Sequence, residues 1–500
     1  MTGGAGRSGL LPLVAALGGV RVMCLGDIML DRFVYGAVER ISPEAPIPVL
    51  RVDRETSMLG GAGNVVRNLV ALGARARLAA VVGDDDAAHQ VRALLDGQEG
   101  LCHGLVLDRL RRTSIKTRYL AANQQLMRAD EETTAPLADG MRSSLLEAAE
   151  TLIKDSNALI LSDYGKGVAG DDIVPAVLSL AERAGIPAVV DPKGKDYRKY
   201  RGAAVITPNR AELAEASGRP VATLAEVETA ARDLRARHGF GAVVATLGQD
   251  GMVIVGSDVV ESGGPGAGGA ARHFKAERRE VFDVSGAGDT VVATIAAALA
   301  TGASLDAAAE LANVAAGIVV GKVGTAVAYA SEIEDALRQR DLSRAEAKVA
   351  GLGPAVDRIA VWRRQGARIG FTNGCFDLLH PGHVSLLAQA RRACDRLVVG
   401  LNSDASVARL KGPERPIQSE AARAAVLASL ASVDLVVIFD EDTPLRLLEA
   451  LRPDVLVKGA DYRLEQVVGA DLVQGYGGRV ALATIEPGYS TTATIARIAT

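Results

Sequence analysis

Two short stretches hold the residues best suited to phosphate chemistry. In "DVSGAGDT", residues 283–290, Gly286, Ala287 and Gly288 open a helical pattern that continues as "VVATIAAALATG". Small residues let backbone approach an anion closely, and the unpaired N–H groups and dipole of a helix start favour negative charge. Asp289 stands at that mouth, where a carboxylate can accept the proton of a hydroxyl attacking a γ-phosphate. A Gly-rich turn capped by Asp has the same local pattern, so the motif alone leaves both readings open. In "GCFDLLHPGH", residues 374–383, His380 and His383 are two of only six histidines. They can be a metal clamp, ordinary loop or cap residues, or donors to a phosphate. Helical zinc pairs are usually spaced i, i+4 with a glutamate between, whereas Pro381 and Gly382 lie between these two, with no neighbouring Cys or carboxylate cluster to complete a tetrahedral set. The strand-like "RIGFTNG" before them ends in Thr372, Asn373 and Gly374, and "HVSLLAQARRA" after them is helical. A glycine-ended strand running into a helix mouth favours phosphate, with imidazole N–H groups stabilising charge as it redistributes.

Other polar residues close apolar runs in the same way. Asp27 and Asp31 flank the end of the first such run and can bind sugar hydroxyls. "GGAGNVVRNLVALGA" places Gly60, Gly61 and Asn64 ahead of a helix, where a polyol can approach backbone. Asp191 and Lys193 follow another run. "TPNRAEL" carries Asn209, Arg210, Ala211 and Glu212, with Asn209 and Glu212 placed to organise Mg–nucleotide. Each alone reads as a surface turn; together, in this order, they read as a site.

These residues need a parallel sheet to hold them. "VRVMCLGD", "ARLAAVVGD", "ALILSDYG", "PAVVDPKG", "AVITPN" and "AVVATLG" are buried-strand patterns, mostly followed by Ala-rich helical segments, which is the signature of βαβ units. Ligands in such sheets sit at the carboxyl ends of the strands. "DRFVYGAVERISPEAPIPVL" (31–50) and "TSIKTRYLAANQQLMRAD" (113–130) read as antiparallel strands outside the main sheet, a lid or an edge. Residues 256–271 are Gly-rich and read as a loop. A charged helical stretch follows Ser331, and a second alternating series begins at "ARIGFTNG". The expected domains are 1–335 and 354–500, joined by a linker at 336–353.

Composition bounds the function. Hydrophobic residues make up 48% of 500 and aromatics only 3%, so Ala, Val and Leu must fill more than one core. A net charge of −4 with no basic stripe argues against a nucleic-acid partner. Cys24, Cys102, Cys375 and Cys394 show no CxxC spacing, which fits a reducing cytoplasm. The apolar "LLPLVAALGGV" is too short to span a bilayer and reads as a first helix rather than a signal peptide, so no membrane insertion is expected.

Residues 20–330 resemble the ribokinase-like sugar kinases through "GDIMLDRF", "GGAGNVVRNLVALGA", "DYGKGV", "DPKG", "TPNRAEL", "TLGQDGM" and "DVSGAGDT". That resemblance implies Asp289 as catalytic base and Gly286, Ala287 and Gly288 as an anion hole. It implies nucleotide contacts near Asn209, Glu212, Thr246 and Gly248, with Mg²⁺ near Glu212, and a lid that pairs two subunits. Residues 366–500 resemble the HxGH, cytidylyltransferase-like nucleotidyltransferases through "TNGCFDLLHPGHVSLL", "GLNSDASVARLKGPERPI", "VLVKGADY" and "GYSTTATIARI". That implies His380 and His383 at the α-phosphate, Ser490, Thr491 and Thr492 at the β- and γ-phosphates, and Thr372, Asn373, Gly374, Phe376, Asp404, Lys411, Lys458 and Asp461 as nucleotide or substrate neighbours. Ala493 and Ala460 depart from that pattern, where Asn and Gly are usual.

The expected fold is therefore α/β: a ribokinase-like three-layer domain with a small β lid, then a Rossmann-like nucleotidyltransferase. The fusion, with "GDIMLDRFVYGAVERISPEAPIPVL", resembles the bifunctional heptose 7-phosphate kinase and heptose 1-phosphate adenylyltransferase family. This implies sugar phosphates and ATP as substrates, ADP-heptose as product for lipopolysaccharide core or other surface glycans, and a cation for the 7-phosphate. Lys193, Arg118 and Arg128 are candidates for that cation, or else solvated surface charges. The rival readings are a related kinase–transferase fusion with another sugar or CTP, and a nucleotide-binding regulator without turnover.

Overall fold

The apolar runs that end in polar residues are strands, and they assemble largely by parallel pairing. The computed structural model describes residues 9–121, 124–256, 271–276, 286–322, 324–459 and 464–484. The chain divides into two units, Met1–Leu337 and Arg338–Thr500.

In the first unit, among the described residues, the main sheet runs edge to edge through Arg272–Phe274, Met252–Gly256, Ala242–Thr246, Val205–Ile206, Ala188–Asp191, Ala158–Ser162, Arg21–Gly26, Arg75–Val82 and Leu101–Leu107. Pairing is parallel except at the edge formed by Met252–Gly256 and Arg272–Phe274. Helices cover both faces, so central strands are apolar throughout rather than alternating. Ala62–Ala71, Ala287–Ala300 and Leu305–Val319 contribute to one core layer; Asp139–Ile153, Ile173–Ala184 and Leu224–His238 contribute to the other. Helix Ala287–Ala300 is buried from Asp289 to Ala298, and its small side chains let it pack against Arg21–Gly26, Ala158–Ser162 and Ala188–Asp191. The order of the sheet reverses at Arg21–Gly26, whose neighbours Ala158–Ser162 and Arg75–Val82 lie on opposite sides. Crevices for ligands open beyond the strands at such a point. Asp27 and Asp163 follow the two strands that flank it.

The two stretches expected outside this sheet form a second one, in the order Pro48–Gly61, Ile28–Ile41, Ser114–Ala121, Gln124–Glu131. The outer pairs are antiparallel as expected, but the central pair, Met29↔Ser114 to Gly36↔Ala121, is parallel. The chain between them passes through the lid strand Pro48–Gly61, two helices and two strands of the main sheet, a crossover long enough for parallel pairing. Gly60 and Gly61 end the strand rather than open the helix, which starts at Ala62. The "LLPLVAALGGV" segment is a helix, Leu10–Leu17, and no helix among the described residues is long and apolar enough to cross a membrane. Residues 257–270 of the Gly-rich segment lie outside the described residues.

The second unit is a parallel sheet in the order Val349–Ala350, Leu435–Phe439, Arg396–Asn402, Ile369–Gly374, Val455–Gly459, Arg479–Ala483. Its order reverses at Ile369–Gly374, the strand that leads into the histidine motif. The linker expected at 336–353 is corrected: Ala330–Glu346 is one helix, Val349–Ala350 is an edge strand of the second sheet, and Leu352–Arg364 is a helix. A helix rich in alternating charge reads as a linker because so little of its sequence marks an apolar face.

Gly26 closes the first strand so tightly that a Cβ would stand 2.1 Å from the Ser162 carbonyl oxygen. Gly26→Ala should push the two strand ends apart at a cost of about 1–3 kcal/mol. Denaturation followed by circular dichroism should show a lower midpoint for the first unit. An unchanged midpoint would mean the strand ends separate freely.

Candidate active sites

Beyond the switch point of the first sheet, the surrounding segments converge on one carboxylate. Asp289, in the first turn of its helix, is only 4% exposed. Asn64 donates from Nδ2 to its Oδ2 at 2.7 Å, and the Tyr164 hydroxyl donates to its Oδ1 at 2.7 Å. Burial pushes the Asp289 pKa up to about 6, against the two hydrogen bonds, which favour the ionised form. Such a carboxylate is ionised at neutral pH and still a competent proton acceptor. Gly286 caps the helix at φ 82°, and a Cβ there would stand 2.8 Å from the Asn64 amide nitrogen. The space beside Gly288 is open. The helix mouth thus offers bare backbone next to the Asp289 carboxylate.

The expected sugar-side residues fall into three groups. Asp31, Gly60, Gly61 and Asn64 come together beside Asp289. A Cβ on Gly60 would stand 2.3 Å from Oδ2 of Asp31, and one on Gly61 2.4 Å from the Asp27 carbonyl oxygen. Asp27 is buried behind them and accepts the backbone N–H groups of Tyr164, Lys166 and Val168 at 2.8, 3.0 and 3.1 Å, so it shapes the "DYGKGV" loop. Lys193 pairs with Glu212 at 2.8 Å, its stem beside Gly165 of the loop that follows Ala158–Ser162. Arg118 pairs with the buried Asp31 at 2.6 Å. Arg128 stands opposite Arg118 in register but is half-exposed and pairs with Asp130.

On the nucleotide side, Asn209 bridges to Thr246 across adjoining strand ends. Asn209 also caps helix Arg210–Ser217 in a reciprocal box with Glu212, each backbone N–H meeting the other's side chain at 3.0 Å. Ala211 sits in that first turn. Arg210 points away, donating to the Val221 carbonyl and to Asp250, which steadies the turn Gly248–Asp250. Burial, then the charges of Asp289 and Glu212, raise the Asp191 carboxyl well above its usual range.

In the second unit, His380 caps helix Pro381–Arg392 with Pro381 at its first position. The His380 and His383 rings stack face to face, centroids 3.8 Å apart and 19° from parallel, and Phe376 meets His383 edge-on at 5.1 Å. Stacked rings do not aim two nitrogens at one ion, and the described residues hold no group of three His, Cys, Asp or Glu fit for a metal. Burial, helped by His380, holds His383 down at about 4; burial also lowers His380. Both imidazoles are therefore neutral at pH 7. Thr372 Oγ1, Asn373 Oδ1 and His383 Nδ1 are buried without hydrogen-bond partners among the described residues. Unmet buried polar atoms cost about 1–3 kcal/mol each, so a polar ligand that reached any of them would be stabilised. Lys458 donates to the Asn373 carbonyl at 3.1 Å, and Gly374 ends the strand. Asp404 pairs with Arg423 at 2.6 Å, while Lys411 is exposed at the end of helix Asp404–Lys411. Asp461, Ser490, Thr491 and Thr492 lie outside the described residues.

Three contributors went unassigned in the sequence. Tyr164 directly follows a strand end, the signal that picked out the others. Lys116 shares a strand face with Arg118, as alternation requires. Arg423 gave no signal, since a charge in the Ala-rich "AARAAVLASL" reads as a solvated face; yet it is 1% exposed and donates to the Cys375, Asn402 and Gln418 carbonyls.

Residues 20–331 match the pfkB family carbohydrate kinases, and residues 371–497 match the cytidylyltransferase-like family. Bifunctional protein HldE of Paramagnetospirillum magneticum is 58% identical over 98% of this chain and 99% of its own length; that of Rhodospirillum rubrum is 57% identical over 98% and 97%. The chain belongs to the HldE family. A crystal structure of phosphofructokinase-2 from Escherichia coli in complex with potassium, 21% identical, aligns with a TM-score of 0.54 over 64% of this chain and 99% of that one, a likeness of fold. As an HldE family member, the chain is a sugar kinase followed by a nucleotidyltransferase, with a ribokinase-like first unit and a Rossmann-type second.

A triphosphate bound against the paired imidazoles would bring negative charge to them. Negative charge there favours their protonated forms, so their pKa values rise on binding. Groups whose pKa rises on binding take up protons, and the complex strengthens as pH falls through their raised values toward about 4, where free His383 itself protonates. Calorimetry with a non-hydrolysable ATP analogue, at pH 6 in buffers of different ionisation enthalpy, should show proton uptake that shrinks in His383→Ala. The difference between the two proteins removes the titration of the nucleotide itself. Identical uptake in both would show that His383 stays neutral in the complex.

Proposed function

We propose that the two sites act on one sugar in turn, the first through a carboxylate base and the second by stabilising phosphate charge without a base. The HldE family member described here is a heptose kinase joined to an adenylyltransferase of ADP-heptose biosynthesis. The kinase step transfers the γ-phosphoryl group of ATP to O1 of D-glycero-D-manno-heptose 7-phosphate. The transferase step joins heptose 1-phosphate to the AMP part of ATP and releases pyrophosphate.

The observation that carries the reading is Asp289, buried, doubly hydrogen-bonded and at the mouth of a glycine-opened helix. As O1 attacks, its proton passes to the Asp289 carboxylate, and the backbone N–H groups at Gly286–Gly288 meet the charge on the transferring group. Lys116 and Arg118, neighbours on one face of the lid strand beside Asp31, are the cations best placed for the 7-phosphate. Heptose 1-phosphate attacks as an ionised group, so its site needs only donors: Thr372, His380, His383 and Lys458.

Mg²⁺ accompanies ATP in this reading. Asp191 and Glu212 fit it, being hard oxygen donors; burial, then the charges of Asp289 and Glu212, hold the Asp191 carboxyl high, and a cation there would relieve it. They would hold the ion at the nucleotide side of the kinase site, where it neutralises phosphate charge. The lid supports a homodimer, since Ile41, Ile47, Val52 and Met127 are each more than half exposed there. Ile41→Asp with Val52→Asp should convert a dimer to monomer in analytical ultracentrifugation; a monomeric wild-type chain would refute the lid assignment. A cytoplasmic location accords with ATP as substrate and with four free cysteines.

Product mass spectrometry on the full chain tests the division of labour. Asp289→Asn should lower kinase turnover at least about 10²–10⁴-fold and leave adenylyl transfer intact. His383→Ala should do the reverse, by about 10²–10³-fold. Loss of both activities from either change would argue against independent sites.

A further inference from the structure

Tyr164 has no part in the transfer described above, yet its hydroxyl lies 2.7 Å from Oδ1 of Asp289. The loop that carries it is fixed from several sides. Asp27 receives three of its backbone N–H groups. Arg111, buried, donates from Nη1 to the Lys166 carbonyl and from Nη2 to the Ala135 carbonyl, each at 2.6 Å. Asp163 accepts from Lys199 Nζ and the Tyr200 hydroxyl, each at 2.6 Å, and from the Gly165 N–H at 2.7 Å. Gly167, at φ 87°, passes Ala135 so closely that a Cβ would stand 2.2 Å from its carbonyl oxygen. This anchoring aims one phenol at one carboxylate. Lys116 Nζ lies 5.3 Å from the phenol ring centroid, and a cation over a ring draws density from it and strengthens the hydroxyl as a donor.

We propose that Tyr164 is a positioning residue of the kinase step, its hydroxyl fixing the Asp289 carboxylate in the orientation that meets the sugar hydroxyl. Asn64 donates to one oxygen and Tyr164 to the other, and a carboxylate accepts about four hydrogen bonds, so room remains for the O1 hydroxyl. The bond from Tyr164 also favours the ionised carboxylate, in opposition to burial. The other groups that act on Asp289 are Asp31 and Lys116 from the lid, Asp191 at a strand end and the buried Cys24 thiol. None of these hydrogen-bonds it among the described contacts. Tyr164 keeps its own proton throughout, because burial and the Asp289 and Asp191 carboxylates hold the phenol far above its usual range.

The inference rests on Asp289 being the base, and the experiment separates the two. In the full chain, kinase kcat/KM is followed from pH 5.5 to 9 for wild type, Tyr164→Phe and Asp289→Asn, with adenylyl transfer as the internal control. Tyr164→Phe should move the acid limb up by about one pH unit, losing about fivefold at pH 6 and recovering by pH 8.5, with adenylyl transfer unchanged. An acid limb that stays in place, with or without a uniform loss of rate, overturns the role of Tyr164. Turnover retained by Asp289→Asn overturns the base itself.

Discussion

The first unit is organised around the cost of burying a carboxylate that must stay ionised. Taken from water without compensation, such a group simply holds its proton. Two donors on opposite oxygens, Asn64 and Tyr164, offset part of that cost and leave Asp289 poised near neutrality. Much of the nearby architecture follows from bringing those donors in. Gly286 must lack a side chain for Asn64 to reach Oδ2, and Gly60 and Gly61 must lack them for Asp31 and the Asp27 backbone to pack alongside. The Asp27 carboxylate, saturated by backbone N–H groups, holds the loop that presents Tyr164.

The second unit solves the opposite problem. Its buried groups await a charge rather than hold one. Neutral stacked imidazoles, and oxygens of Thr372 and Asn373 without hydrogen-bond partners among the described residues, stand with Lys458 near the switch point of a parallel sheet. Their unmet hydrogen bonds are tolerable because strand Ile369–Gly374 is locked between two parallel neighbours and Arg423 ties its following loop to the end of Arg396–Asn402. Rigidity here comes from one buried guanidinium satisfied by carbonyls and Asp404.

What could be read from sequence follows from how local each signal is. Strand ends and helix mouths are local, so Asp289, Asn209, Glu212, His380 and His383 stood out through their flanking patterns. Direction of pairing is not local: the lid strands were recognisable by composition, but the parallel central pair depends on a crossover of more than fifty residues. The pairing of Lys193 with Glu212 was not legible, because sequence shows which strand a residue follows and not which way its loop turns. Arg423 was invisible, since burial of a charge is decided entirely by partners remote in the chain. Helix Ala330–Glu346 was legible as a charged helical stretch, but strand Val349–Ala350 was not, because a two-residue edge strand carries no pattern of its own.

The contrast between the sites follows from the nucleophile. A sugar hydroxyl is a very weak acid, so a carboxylate beside it lowers the barrier by taking the proton. A sugar phosphate is already an anion, and a free carboxylate beside it would repel it. Among the described residues, two acidic side chains of the second unit's expected site neighbourhood, Asp377 and Asp404, are paired where they stand. Asp377 is buried against Arg415 at 2.5 Å and two backbone N–H groups, and Asp404 is paired with Arg423. The same residue type is thus left available for proton transfer in one unit and cancelled in the other. That difference in charge state, more than any difference in fold, separates a kinase site from an adenylyltransferase site along this chain.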